Sequence, residues 1–225
     1  MASRRALTGT AVASLLLLSA CSVGTPPDEG AAVAGLSVRD DDGLNGAVLP
    51  DPYVVSDRAL TATDGSDYRL DQGTAGGADD LTLVFFGYTH CPDICQIVMA
   101  DITSALTRLD PDQRERVGMQ FVTTDPARDD EATLRAYLDR FDPSFGGLTG
   151  PLPRIVRVGE SVGVSIDEGE KLPSGGYEVS HGTQVLGVLP DGTAPVIWTE
   201  GTGPERIAED LRTILDDGIP AGATS

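Results

Sequence analysis

Two cysteines and two histidines hold most of the reactive chemistry of this chain. Cys91 and Cys95 stand four positions apart in the segment Phe86-Gly87-Tyr88-Thr89-His90-Cys91-Pro92-Asp93-Ile94-Cys95. On the first turn of a helix that spacing puts two sulfurs on one side, near enough to share a soft ion or to oxidise together to a disulfide. The N–H groups at a helix start stabilise negative charge, so both thiols are expected to have lowered pKa values. Thiolates select Cu(I), zinc or iron–sulfur clusters, and a low-coordinate Cys–Cys–His set leans towards copper. Only His90 and His181 can supply an imidazole. His90 directly precedes Cys91, so its ring is expected to point away from that sulfur. His181 ends the stretch Gly175-Gly176-Tyr177-Glu178-Val179-Ser180-His181, read here as a loop. Zinc on Cys91, Cys95, His90 and His181 would complete a tetrahedron, although the adjacent pair His90-Cys91 is poorly placed to share one ion.

These groups need elements to bring them together. Leu81–Phe86 is a continuous apolar run ended by Gly87, as in a strand buried on both faces. Ile94, Ile97, Val98, Ile102, Ala105, Leu106 and Leu109 recur at the helical period, so Cys95 falls in the first turn of that helix. Val117–Thr123 reads as the next strand, stopped by Asp125-Pro126. Leu134, Tyr137, Leu138 and Phe141 mark a second helix, and 152–162 a weaker one. Thr183–Leu189 and Ala194–Trp198 flank Pro190-Asp191-Gly192 as a hairpin, and a last helix opens at Pro204. An earlier hairpin, Ala59–Thr63 with Tyr68–Leu70, turns at Asp64-Gly65. Parallel strands joined by helices and closed by an antiparallel hairpin describe an α/β fold, a thioredoxin-like three-layer sandwich with an N-terminal β-hairpin extension. In such a sheet the strand after His181 starts opposite the first helix, which brings His181 over the cysteines.

The 225 residues carry 35 Asp+Glu against 16 Lys+Arg, a formal net charge of −19, and Lys171 is the single lysine. That balance excludes a nucleic-acid binder and leaves no polybasic patch for anionic lipid. Three cysteines are too few for a disulfide framework or a four-cysteine zinc site. Arg4 and Arg5 followed by the apolar 11–18 read as a signal peptide over 1–20. Its end, Leu18-Ser19-Ala20-Cys21, resembles the bacterial lipobox, so Cys21 is the expected lipidation site. Residues 21–49 read as a lipid-anchored flexible tether, 50–217 as the folded domain and 218–225 as a disordered tail. The expected location is the extracytoplasmic face of the bacterial cell membrane.

The cysteine segment closely resembles the signature of the SCO/SenC proteins, copper metallochaperones with a thioredoxin fold. The resemblance continues through Thr124-Asp125-Pro126-Ala127-Arg128-Asp129, Phe141-Asp142-Pro143, Gly147-Leu148-Thr149-Gly150, and His181 with the following Leu189-Pro190-Asp191-Gly192. It implies one copper ion per chain, held by Cys91, Cys95 and His181. The implied task is delivering copper to the copper A site in subunit II of cytochrome c oxidase, or reducing the cysteines of that site. An extracytoplasmic copper donor and a thioredoxin-like reductant are the further implied partners, since a Cys91–Cys95 disulfide would remove both sulfur ligands. Gln96 replaces the family's usual Pro, and Ser180 stands where an Asp often precedes the histidine. Two other readings use the same thiols: a general thiol–disulfide oxidoreductase, whose usual spacing is one residue shorter, and a peroxiredoxin-like peroxidase, whose usual upstream Pro is absent. Asp125 reads as a turn residue, Asp93 as a first-turn acid, and Tyr88 and His90 as packing or docking residues.

Overall fold

The computed structural model describes residues 43–72, 79–92, 94–171 and 177–220, with the backbone alone for 167–171 and 177–181. The expectations for the signal peptide, for Cys21 and for most of the tether fall outside these residues. So does Asp93.

The strands are β1 (Ala47–Val54), β2 (Leu60–Ala62), β3 (Asp67–Tyr68), β4 (Leu81–Gly87), β5 (Val117–Thr123), β6 (Gly146–Thr149), β7 (Ile166–Lys171), β8 (Tyr177–His181), β9 (Val185–Val188) and β10 (Thr193–Trp198). The helices are α1 (Ile94–Leu106), α2 (Pro111–Arg114), α3 (Glu131–Leu138), α4 (Leu152–Ser161) and α5 (Pro204–Asp217). Eight strands form one sheet in the order β1-β10-β9-β4-β5-β6-β2-β3, and β7 pairs with β8 apart from it. β4, β5 and β6 run parallel, while β9 lies antiparallel against β4. This is the expected thioredoxin-like arrangement, and the N-terminal hairpin β2–β3 extends it beyond β6.

Every residue of β4 is buried. Alternate strand residues face opposite sides, so both faces of the sheet are covered and three layers result. Right-handed crossovers from β4 to β5 and from β5 to β6 put α1 and α3 on one face. An aromatic file runs across that face: Phe85 to Phe121 at 6.0 Å, Phe121 to Tyr137 at 5.4 Å, and Tyr137 to Phe141 at 5.3 Å between ring centroids. Gly87 lets the file close up, because a Cβ there would lie 3.0 Å from the rings of both Phe85 and Phe121. α5 packs against α1 on the same side. The opposite face is left to α4, whose Ile155 and Val158 are wholly buried.

Several particulars differ from the sequence reading. α1 buries Cys95 and Met99 along with Val98, Ile102, Ala105 and Leu106, and turns Ile97 out to solvent. The apolar stripe therefore passes through the cysteine. β1 starts at Ala47, inside the stretch expected to be tether, and pairs with β10 across a break between Val48 and Tyr53. Pro50 and Pro52 hid it, since proline has no N–H for a ladder and is tolerated only at an edge. β6, with two glycines, and the charged strand β7 carry no apolar run to mark them. Ile219, within the supposed tail, packs on the core. None of the described helices is long and apolar enough to cross a membrane.

The first described residues are fastened by a buried acid. Asp210 on α5 accepts hydrogen bonds from the Asn45 and Gly46 backbone N–H groups, the Asn45 side-chain amide and Trp198 Nε1, at 2.7–2.8 Å. It is 2% exposed. Asp210→Ala should strand these donors and lower the unfolding free energy by about 3 kcal/mol. Urea unfolding followed by the emission of Trp198, the only tryptophan, measures this. An unchanged midpoint would show that the carboxylate is not what holds the entry segment.

Candidate metal centre

β4 delivers its chain to the carboxyl end of the parallel strands, where open α/β sheets place reactive groups. Beyond Gly87 the backbone turns at once, with Cys91 N–H donating to Tyr88 O at 3.2 Å. α1 then begins, and Cys95 N–H donates to Cys91 Sγ at 3.3 Å. Cys91 therefore serves as an acceptor for the opening turn of the helix that carries Cys95. Neither is in a disulfide; Cys91 is 4% exposed and Cys95 wholly buried.

The expectation of a lowered pKa fails at Cys95. Burial pushes its thiol up, the hydrogen bond with the Cys91 side chain adds to the rise, and the bond involving Tyr88 backbone opposes it only in part. The sequence puts Cys95 at the helix start, but α1 turns this sulfur into the core. Desolvation outweighs the terminus there.

The loop before Cys91 is tied down by an acid that the sequence reading quoted only within a motif. Asp129 is wholly buried. Its Oδ2 accepts the Thr89 N–H at 2.9 Å and the Thr123 hydroxyl at 2.7 Å, and its Oδ1 accepts the Thr89 hydroxyl at 2.6 Å. Its own carbonyl accepts the Thr149 hydroxyl at 3.0 Å. Nothing in the residue types singles it out among 35 acids. Only the pairing of Gly87 with Thr123 at the ends of β4 and β5 reveals it. Asp125 does more than turn the chain. It is wholly buried and ion-paired with Arg128, whose guanidinium lies 6.0 Å from the Tyr88 ring centroid.

The two histidines differ. His90 keeps a ring 57% exposed, with Nδ1 3.0 Å from Thr89 Oγ1. His181 is the last residue of β8, paired with Ile166 of β7, which corrects its reading as a loop residue. The hairpin was missed because its strands are charged and interrupted rather than apolar. β9 begins at Val185, opposite Phe85 near the carboxyl end of β4, and runs antiparallel. The backbone from His181 into β9 therefore arrives at the cysteine end of the sheet. Among the described residues no three His, Cys, Asp or Glu side chains form a metal-holding group, and the His181 side chain is not among them. The donor set still suits a soft ion, with two thiols on one turn and little water around them. Tyr137 adds an unsatisfied polar atom to this region. Its buried hydroxyl has no hydrogen-bond partner among the described residues, and its pKa is raised by burial first and then by the nearby Cys95 thiol.

These pKa directions predict slow alkylation. At pH 7.5 iodoacetamide should modify Cys95 in the folded protein far more slowly than in the unfolded chain, and the rate should climb with pH well past the ordinary thiol range. Mass mapping of the labelled peptide reads this directly. Modification of Cys95 at the unfolded rate would contradict both its burial and its raised pKa.

The model of the SCO1/SenC family matches residues 57–216. Over 131 residues the chain is 35% identical to the mitochondrial SCO2 homolog of Danio rerio, covering 58% of this chain and 47% of that relative. The chain spans about half the length of the curated relatives it matches. Its fold is similar to the solution structure of apo Sco1 from Thermus thermophilus, with a TM-score of 0.67 and 30% identity over 76% of this chain and 96% of that one. It is likewise similar to the copper-bound structure of ScoI from Bradyrhizobium japonicum, with a TM-score of 0.60 and 31% identity over 72% of this chain and 96% of the other. The match over residues 57–216 takes in the cysteine turn, the Asp129 turn and the β8–β9 connection together, and the chain belongs to the SCO1/SenC family.

Proposed function

We propose that this chain carries one copper ion on Cys91, Cys95 and His181 and delivers it to the copper A site in subunit II of cytochrome c oxidase. The observation that carries this reading is the pair of unbridged, nearly solvent-excluded thiols four residues apart at the start of α1, at the sheet end to which the backbone of His181 also leads. Two thiolates suit Cu(I), and a third ligand of imidazole type lets the same site hold Cu(II), which sulfur alone stabilises poorly. Loading requires both thiols to lose their protons, so copper uptake releases protons and apparent affinity rises with pH. It also requires a reduced pair, which calls for an extracytoplasmic thioredoxin-like reductant beside a copper donor.

The second reading, a reductase acting on the cysteines of that site or of other extracytoplasmic proteins, uses the same two thiols. A reductase attacks with an accessible thiolate of low pKa. Cys91 is 4% exposed and Cys95 is wholly buried with a raised pKa, which favours carriage of a bound ion over attack on a partner's disulfide.

Deleting the gene should lower cytochrome c oxidase activity and deplete its copper A centre, and added copper should partly restore both by mass action. A permeant thiol reductant alone should not. Rescue by reductant and not by copper would favour the reductase reading. An oxidase untouched under copper limitation would remove both. On the purified reduced protein, copper should bind at one ion per chain, and Cys91→Ser or Cys95→Ser should abolish tight binding.

Anchoring belongs to the same proposal. Cleavage before Cys21 and a diacylglyceryl group on its sulfur would hold the domain at the extracytoplasmic face of the membrane, since two acyl chains give stable attachment where one is reversible. Intact mass of the membrane fraction should show lipid-bearing protein starting at Cys21. An unmodified chain released into the medium would overturn this part.

A further inference from the structure

His90 directly precedes Cys91 of a thiol pair that is almost closed to solvent, yet its own ring is open to solvent. The hydrogen atoms around it can be assigned one by one. The Thr89 hydroxyl has a single proton, and Asp129 Oδ1 stands 2.6 Å away to accept it. A bond to a carboxylate is about twice as strong as one to a neutral acceptor, so the proton goes there. Thr89 Oγ1 is then left as an acceptor towards His90 Nδ1, 3.0 Å away. Asp129 Oδ1, 3.7 Å from the same nitrogen, also favours an N–H at that position. Neutral His90 is thus held with its proton on Nδ1 and a bare lone pair on Nε2. No described residue takes up that lone pair.

This is the outer arrangement of a metal-ligating histidine, in which one ring N–H is donated to an acceptor backed by a carboxylate and the other nitrogen is left to bind. We propose that the relay Asp129–Thr89–His90 makes His90 Nε2 the capture ligand through which copper enters and leaves the Cys91–Cys95 pair. The step is a ligand exchange without redox change. A Cu(I)–Nε2 bond forms as one bond to the incoming donor breaks. The ion then passes to the neighbouring sulfurs, whose protons leave to solvent, and the imidazole lets go. Asp129 and Thr89 act as positioning residues, since neither touches the ion. The proposal rests on the copper-carrying reading, and it adds an exchange route distinct from the resident ligands.

Two measurements test it. On copper-free, reduced protein, nitrogen-15 NMR should show neutral His90 protonated at Nδ1, and Thr89→Val should shift it towards the Nε2-protonated form. In stopped-flow mixing with the copper(I)–bicinchoninate complex, His90→Ala should slow loading and unloading by about tenfold or more, in line with losses of 10–100-fold when a metal site's supporting groups are removed. Thr89→Val should slow both although the imidazole remains. The exposed position of His90 makes the alanine variant safe to fold. An Nε2-protonated His90 in the wild type overturns the proposal, as does loading of His90→Ala at the wild-type rate. So does a His90→Ala variant that loses its equilibrium affinity and Cu(II) spectrum, since His90 would then be a resident ligand. If the wild type takes no copper from the complex, the carrier reading falls with it. Normal wild-type loading with no effect of His90 overturns this inference alone.

Discussion

One buried aspartate gathers the ends of three parallel strands, two through its carboxylate and the third through its backbone carbonyl. Asp129 binds the loop leaving β4 through Thr89, the end of β5 through Thr123 and the end of β6 through Thr149. A carboxyl group withdrawn from water is costly unless its oxygens are satisfied, and both oxygens of Asp129 are. The arrangement works only because β4 and β5 pair in parallel with Gly87 opposite Thr123, which brings the two strand ends level. A slip of one residue would turn Thr123 to the other face and leave the acid without its partners. Cys91, two residues beyond Thr89, inherits its place from this junction. The geometry of the thiols therefore depends on a bond network that contains no sulfur.

Other buried acids are paired as well. Asp210 collects donors from the entry of β1 and from Trp198, and Asp125 pairs with Arg128 under the Tyr88 ring. In a chain of net charge −19 most of the described acids lie at the surface and repel one another weakly through salt. Of the few that are buried, Asp129 and Asp210 act as fasteners that join segments far apart in the chain. Glycine supplies the complementary device where no atom can be spared, as at Gly87 between two phenylalanine rings.

Much of this architecture was legible wherever burial on two faces or a sharp stop marks the chain. β4 is a continuous apolar run, β5 ends against Asp125-Pro126, and α5 opens at Pro204 and closes at Gly218, whose positive φ suits glycine. The cysteine turn was legible too, because its residues are rare and closely spaced. What stayed hidden depends on neighbours rather than on local pattern. β6 exists because β5 and β2 flank it, although Gly146-Gly147 has no strand preference of its own. The β7–β8 hairpin that ends at His181 is charged and irregular. Asp129 looks like any other acid until the fold surrounds it. The direction of the Cys95 pKa likewise turns on which way α1 is rotated, and the apolar spacing fitted Ile97 as well as Met99.

The meeting of Gly43 with Pro220 has a spatial consequence. A Cβ on Gly43 would lie 3.9 Å from the Pro220 ring, and Arg116, just before β5, donates to Leu215 O at 2.7 Å. Both ends of the described chain thus lie together at the amino-terminal pole of the parallel strands, while Cys91 and Cys95 occupy the other pole. Seven residues of β4 separate the poles, about 23 Å at the usual rise of a parallel strand. The described domain is accordingly a one-ended object: its first and last described residues meet at the heel, and the sulfurs ride at the toe.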